Sequence, residues 1–444
     1  MLKTFRIGGG HPPENKLSAG QAIIAADLPK QAVVMLSQHI GAPAQAVVAK
    51  GDKVKVGTLL AQAGGFVSAN IHSPVSGTVS KIDTAIDAAG FQRPAIIIDV
   101  EGDEWEESID RSETLVKECT LDAKAIIDRI KECGIVGLGG ATFPTHVKLS
   151  PPPGMTATIL IINAVECEPY LTSDHQLMME KGEEILVGVE ILRKAINVER
   201  AVIGIENNKP DAIKHMTQLA TDYPAIEICP LKVKYPQGGE KQLIDAVIRR
   251  QVPSGALPIA TGAVVQNVGT AFAVYEAVQK HKPLVERIVT ITGKSLAKPS
   301  NLRVRIGTPI SQLIDMCGGL PQDTEKVISG GPMMGKAVVS TDMATTKGCS
   351  GVLIIRDLES RRKEMQPCIR CAKCVSACPM GLAPNVLMSA SSFQNWERVE
   401  EERVMDCIEC GSCSFTCPAH RPLLDYIRMG KAKVGAIIRS RNAK

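Results

Sequence analysis

The sequence predicts a multidomain chain of mixed class, α/β joined to β and α parts, and three observations carry that expectation. A β-α-β-α alternation runs through the middle of the chain, short strands broken by Gly-Asp and Ser-Gly turns precede it, and a polar helical stretch with a repeated cysteine motif follows. At 444 residues there is room for roughly three or four domains. A content of 44% hydrophobic and 22% charged residues is ordinary for a globular protein, though 3% aromatic is low. The net charge of +4, from 51 basic and 47 acidic residues, gives no reason to expect nucleic acid as a partner. No run approaches the ~20 apolar residues that span a bilayer, and the N-terminus lacks an apolar signal region. No transmembrane segment is expected.

Residues 1–28 read as an arm, because Gly8-Gly9-Gly10-His11-Pro12-Pro13 is too rich in Gly and Pro for a regular element. His11 is a packing or capping residue on this reading, since nothing near it completes a metal set. Residues 29–105 alternate in short strands and read as a small β-sandwich or barrel. The K-G-D-x-V of residues 50–54 and the S-P-x-x-G-x-V of residues 73–79 resemble the quasi-repeats of biotinyl/lipoyl-type barrel-sandwich hybrid domains. A carrier version needs a lysine at the hairpin tip, and residues 64–68 have none. The domain is therefore expected to be structural, without a covalent cofactor.

After an acidic linker comes a domain over residues 118–284. It opens with a helix at residues 122–133 that runs into a loop with Gly137, Gly139, Gly140 and, further on, Phe143 and Lys148. Such a loop suits backbone N–H groups approaching a phosphate, with the lysine as a point charge; a tight helix-to-helix turn fits the spacing equally well. The apolar run 158–162 reads as a buried parallel strand. It delivers Asn163-Ala-Val-Glu166-Cys-Glu168-Pro at its C-terminal end, where open α/β sheets bind ligands. Helices at residues 180–196 and 211–220 and strands at 201–205 and 226–233 continue the alternation. Gly238-Gly239-Glu240-Lys241 then opens a helix to residue 250, and Gln266-Asn267-Val268-Gly269-Thr270 begins another, with Thr270 as its cap. The order implies a doubly wound sheet with right-handed crossovers. Residues 285–345, two paired strands, a crossing helix at 310–317 and a further strand, read as a β-grasp domain. Met333 and Met334 are expected to fill its core.

The last block, residues 358–444, carries Cys368, Cys371, Cys374 and Cys378, then Cys407, Cys410, Cys413 and Cys417, each cysteine of the second run 39 residues after its counterpart. Pro379 and Pro418 follow the fourth of each. Three closely spaced thiolates wrap one cubane while the fourth ligates its neighbour. That rule gives one [4Fe-4S] cluster to Cys368, Cys371, Cys374 and Cys417, and another to Cys407, Cys410, Cys413 and Cys378. Zinc sites or disulfides would not require a third cysteine, the proline or an exact period. The helical spacer between the runs makes this a helical di-cluster ferredoxin domain. The remaining six of the 14 cysteines are scattered, a pattern that fits a reducing compartment. The basic C-terminal helix, ending in Arg439, Arg441 and Lys444, reads either as a solvated helix or as a contact to anionic lipid or an acidic partner.

The glycine loop, the Asn-Ala-x-Glu-x-Glu-Pro segment, the Gly-Gly-Glu turn and the Gln-Asn-Val-x-Thr segment fall in the order seen in the flavin subunit of respiratory complex I. With the opening F-x-I-G-G-x-H-P-P-E-N-K and the flanking domains, essentially the whole chain resembles the RnfC family, from the Rnf ion-translocating electron transport complex. The resemblance implies a doubly wound flavin/NADH module whose FMN pocket comprises Gly137, Gly139, Gly140, Lys148, Asn163, Glu166, Gly239, Glu240, Gln266, Asn267 and Thr270. Phe143 and Glu168 match positions that help hold NAD(H). Leu138, Val165 and Lys241 depart from the complex I pattern, where arginine, aspartate and glutamate are usual. Implied too are an NADH/ferredoxin oxidoreductase activity, ferredoxin and the rest of a membrane complex as partners, and a peripheral place on the cytoplasmic face of the bacterial inner membrane. The corrinoid reductases of propanediol metabolism share these modules in another order. A ferredoxin-like relay that has lost nucleotide binding is the non-enzyme alternative, favoured by Val165 and Lys241 and opposed by the glycine loop.

Overall fold

The computed structural model describes residues 2–442; Met1, Ala443 and Lys444, the last basic residue of the expected tail, lie outside the described residues. At the centre, four parallel strands stand in the order Ile226–Leu231, Ala201–Glu206, Ile159–Asn163, Ala263–Asn267. The strand Ile159–Asn163 is apolar on both faces because helices cover both. Leu160 and Ile162 pack with the helices Ala123–Glu132, Gly182–Ala195 and Val268–Lys280, while Ile159 and Ile161 pack with Glu240–Ile248. Burying each such side chain stabilises the module by about 1.5–3 kcal/mol. Numbered along the chain, the strand order is third, second, first, fourth. The winding therefore reverses between Ile159–Asn163 and Ala263–Asn267, which opens a crevice beyond their carboxyl ends.

The expected single helix at 180–196 is two, Ser173–Glu180 and Gly182–Ala195. Thr270 is not the cap of its helix: Val268–Lys280 is capped by Asn267, whose Oδ1 accepts from the N–H groups of Gly269 and Thr270 at 2.9 and 3.3 Å.

The preceding domain is two antiparallel sheets, one of Gln31–Met35, Gln92–Gly102, Ser76–Ile86 and Lys53–Val54, the other of Gln45–Ala46, Leu59–Gln62 and Ile71–His72. Val34, Leu60, Val79, Ile96 and Ile98 fill the space between them. Lys347, fully buried, joins this domain to the central module by donating to the carbonyls of Asn70 at 2.8 Å and Gly134 at 2.7 Å.

The β-grasp sheet extends past residue 345. Its order is Ile23–Ala25, Ser300–Arg305, Glu286–Thr292, Gly351–Arg356, Thr324–Ser329, Lys336–Ala337. Gly351–Arg356 is an inner strand, and the arm supplies the edge strand Ile23–Ala25, so the arm is not wholly irregular. Met333 and Met334 do not fill the core: Met334 is exposed, and both serve through their backbone, donating to Glu168.

The helical domain packs Pro384–Ser392 and Trp396–Glu401 against the long helix Leu423–Asn442 around Leu387, Val399, Leu423, Ile427 and Val434. Arg428 and Lys431 of that helix pair with Glu409, and Arg441 with Glu400, so much of the expected basic tail is satisfied inside its own domain. The arm ties the molecule together. Gly10 and Tyr235 exchange backbone hydrogen bonds of 2.8 and 2.9 Å, Arg6 pairs with Asp245, and Gly9 donates to the Ala377 carbonyl at 3.0 Å.

Candidate cofactor sites

The crevice is assembled from four segments. Asn163 and Asn267 end its two bordering strands as direct neighbours. The Asn267 amide donates to Asp174 Oδ2 at 2.8 Å and to the Asn163 carbonyl at 3.4 Å, and Asn163 donates to the Gly238 carbonyl at 2.8 Å. The glycine loop closes on itself through Gly137 N–H to the Phe143 carbonyl at 2.9 Å. It is anchored by Leu138 N–H to Thr270 Oγ1 at 2.9 Å. Thr270 is thus the tether of the loop rather than a cap. Gly140 has φ +111°, a backbone conformation that favours glycine, and a Cβ on Gly139 would stand 3.4 Å from Asn267. The loop backbone is therefore bare toward the crevice. Gln266, 2% exposed, leaves its amide nitrogen without a partner, a donor that a bound acceptor would satisfy. These features fit a flavin phosphate and ring.

Other expected site residues have additional duties. Lys148 donates to Glu240 Oε1 at 2.6 Å and to the Val265 carbonyl at 2.8 Å, which holds the loop end against the Gly239-Glu240 turn. Glu166, at φ +46°, accepts from the N–H groups of Asp174 and His175 at 2.7 and 3.2 Å and so caps the helix Ser173–Glu180. Glu168 is drawn away from the crevice. Its carboxylate accepts from Met333 and Met334 N–H at 2.7 and 3.0 Å and lies 3.3 Å from the Tyr235 hydroxyl, and burial pushes its pKa up. Phe143 remains half-buried on the loop.

Three contributors escaped sequence reading. Asp174 is buried among Asn267 and Glu166, and burial first, then the Glu166 charge, raises its pKa. Arg287, fully buried, reaches the Leu138 carbonyl at 3.4 Å and also donates to the Lys347 carbonyl. A guanidinium thus supports the loop although residue 138 is leucine. Lys16 of the arm donates to the carbonyls of Glu166, Glu168 and Leu171 at 2.9, 3.0 and 2.7 Å. None of the three lies in a motif, so no local signal marked them.

The eight cysteines of the repeat divide between two cavities. One, of about 260 Å³, is lined by Cys368, Cys371, Cys374 and Cys417; the other, of about 20 Å³, by Cys378, Cys407, Cys410 and Cys413. Each cavity therefore takes three cysteines from one run and the fourth from the other, the grouping the spacing predicts. Among the described residues no three His, Cys, Asp or Glu side chains converge as they would on a lone metal ion. Four thiols ringing an open volume suit a multi-iron cluster, whose irons spread its ligands apart. Cys368 and Cys371 are exposed, whereas Cys378, Cys410 and Cys413 are buried. Burial pushes the Cys407 thiol up to about 11 and that of Cys413 up to about 12, so iron entering the tighter cavity displaces protons.

The tighter cavity abuts the rest of the molecule. The Tyr235 hydroxyl donates to the Cys410 carbonyl at 2.8 Å, Gln242 donates to the Pro379 carbonyl at 3.2 Å, and Gly8 lies against the Cys378 carbonyl. Tyr235 and Gln242 flank the Gly239-Glu240 turn of the crevice.

A switch-point crevice built for a flavin, joined to eight cysteines in two sets, defines a flavin iron–sulfur electron-transfer protein. Matches to known families agree: an RnfC barrel-sandwich hybrid domain over residues 3–103, a Nuo51 FMN-binding domain over 130–276, an SLBB domain over 288–337 and a 4Fe-4S dicluster domain over 360–418. The chain is 44% identical to the RnfC-type component of the proton-translocating ferredoxin:NAD(+) oxidoreductase complex of Clostridium ljungdahlii, over 98% of this chain and 94% of that one. It is 42% identical to the matching component of the Na(+)-translocating complex of Acetobacterium woodii over 99% of both, and 39% identical to that of the ion-translocating oxidoreductase complex of Rhodobacter capsulatus over 98% and 84%. The chain belongs to the RnfC family of the Rnf ion-translocating oxidoreductase complex. Its fold is similar to that of a chain of an NAD+-reducing [NiFe]-hydrogenase in the air-oxidised state, with TM-score 0.50, 18% identity and coverage of 70% of this chain and 66% of that one.

Proposed function

We propose that this chain is a peripheral subunit of a membrane-bound ion-translocating NAD:ferredoxin oxidoreductase, passing electrons between NAD(H), FMN and two [4Fe-4S] clusters. The observation that carries this reading is the switch-point crevice with two four-thiol cavities beyond it, the tighter one against the crevice module. FMN is assigned to Gly137, Gly139, Gly140, Lys148, Asn163, Glu166, Gly239, Glu240, Gln266, Asn267 and Thr270, and the clusters to the two cysteine sets. The chemistry those groups supply when bound is exchange between a hydride pair and single electrons.

The chain's own residues bind and position. The bare N–H groups of the glycine loop and the Gln266 amide donate to the flavin, and Asn267 holds Asn163, Asp174 and the start of its own helix in one network. Phe143 is the residue set against NAD(H). Glu168, engaged by residues 333 and 334, fixes the segment after Asn163 rather than touching the nucleotide. The units proposed are 1–28, 29–105, 118–284, 285–345 and 358–444. Among the described residues no helix is long and apolar enough to cross a membrane. Membrane attachment therefore falls to other members of the complex, and the NAD(H) substrate puts the chain on the cytoplasmic face.

The test is anaerobic purification, identification of extracted flavin, iron and sulfide counting, and titration with NADH while cluster absorbance is followed. One FMN, eight irons and bleaching by NADH are expected. Absence of flavin binding, with NADH leaving the clusters oxidised even when FMN is supplied, overturns the reading.

A further inference from the structure

The cavity of Cys368, Cys371, Cys374 and Cys417 lies apart from the hydrogen bonds that tie the tighter one to the arm and the crevice module, and its wall is a surface loop. Residues 361–372 have no regular secondary structure and are exposed throughout, as are Lys373, Val375 and Ser376 beyond them. Two of the four thiols, Cys368 and Cys371, sit on this loop. A buried redox site needs no such opening.

The chemistry of the loop is one-sided. Between residues 361 and 373 stand five basic residues, Arg361, Arg362, Lys363, Arg370 and Lys373, against one acid, Glu364. Arg361 and Arg362 are held by Asp357 and Asp425. Among the described residues no acid lies within ion-pair distance of Lys363, Arg370 or Lys373, and Arg370 and Arg421 line the cavity itself. Apolar side chains stand among these cations: Ile369 is 68% exposed and Met365 53%. An apolar centre ringed by unpaired charges of one sign is the anatomy of a steered, transient protein contact.

We propose that this loop is the docking surface for a one-electron redox protein that presents an acidic face around its own iron–sulfur or flavin centre. The inference rests on the function proposed above, since it takes the cavity as a cluster site. Exchange across the contact is one electron lost by one centre and gained by the other, with no proton or atom transferred. Lys363, Arg370 and Lys373 orient the acidic face, and Ile369 and Met365 exclude water at its middle. An anionic membrane surface would also meet the cations, but Cys368 and Cys371 open at the centre of the patch, where a lipid headgroup has nothing to exchange.

The experiment is zero-length carbodiimide coupling in the isolated complex, read by mass spectrometry, because the reagent joins a lysine only to a carboxylate in contact with it. Lys363 and Lys373 are expected to couple to Asp or Glu of another redox-carrying polypeptide. Salt at about 0.5 M should suppress the coupling. An R370E/K373E variant with its full iron content should weaken that association about tenfold or more. Coupling of Lys363 and Lys373 only within this chain, coupling insensitive to salt, or an R370E/K373E variant that associates normally overturns the proposal. So does loss, in that variant, of binding to phosphatidylglycerol vesicles with no change toward protein partners. Coupling is read independently of NADH, so a chain that lacks flavin but couples normally would fail the proposed function and not this contact.

Discussion

Cys368, Cys371, Cys374 and Cys417 stand at an exposed edge of the helical domain, among unpaired cations. Cys378, Cys407, Cys410 and Cys413, written in the same repeat, are packed against an arm, a tyrosine and a helix start from elsewhere in the chain. One spacing thus yields two environments, because spacing decides which thiols meet and tertiary packing decides what surrounds them. Exposure and nearby charge are among the quantities that set a cluster's potential. The two sites are therefore expected to differ in potential although their ligands match.

The most severe break in this comparison is a lost ligand. Cys378→Ala should cost the tighter site its cluster and leave about half the iron, and Cys417→Ala should spare that site and empty the exposed one. Iron and sulfide counts with electron paramagnetic resonance distinguish the outcomes, and the opposite pattern would refute the crossed grouping. Next is Gly8→Ala. Gly8 has φ +69°, and an added Cβ would lie 2.4 Å from the Cys378 carbonyl. Roughly 3 kcal/mol of strain and overlap is expected, which should expose the tighter cluster to chelators while leaving the exposed one's chelation rate unchanged.

A third probe takes both cysteine sets out of the comparison. Burial, then the Lys347 charge, holds the His72 imidazole down at about 3. The unfolded chain takes up that proton near its ordinary pKa and the native chain does not, so stability falls as pH drops from about 6.5 toward 3. Roughly 2 kcal/mol should be gone by about pH 4.5, and His72→Gln should flatten this part of a urea-midpoint profile. Smallest is Tyr235→Phe, which leaves the Cys410 carbonyl without its donor. About 1 kcal/mol of stability is expected to go, with slower reduction of the tighter cluster by NADH in stopped flow and no change in the exposed one's reaction with dithionite.

Those residues also mark how far the sequence could be read. The four-strand alternation, the glycine loop and the cysteine grouping were legible because each is written locally, as period, turn chemistry or spacing. Thr270 was misassigned because Asn267, Val268, Gly269 and Thr270 offer two capping residues, and only the structure shows Thr270 Oγ1 occupied by the loop. The helix Ser173–Glu180 was missed because Ser-Asp-His-Gln has little amphipathic pattern and its cap, Glu166, lies seven residues earlier. Glu168 looked like a ligand contact, yet residues 333 and 334, far along the chain, donate to it instead. Ile23–Ala25 is too short to read as a strand without its partner at Ser300–Arg305. Each miss turns on which of several competent groups meet in space, and most of those meetings join segments distant in the chain.

The arm has one more consequence, and it concerns synthesis. Gly8 and Gly9 rest on residues 377 and 378, near the other end of the chain. The first segment to leave the ribosome therefore has no complete seat until the last domain has emerged. Closing so long a loop adds little entropy beyond that of a shorter one, but the order of events is fixed. While the arm waits, the tighter thiol ring stays open on that side, and iron delivery has its easiest access before the arm comes down. Docking of the arm would then seal the loaded site, making the N-terminus the final closure of the newly made chain.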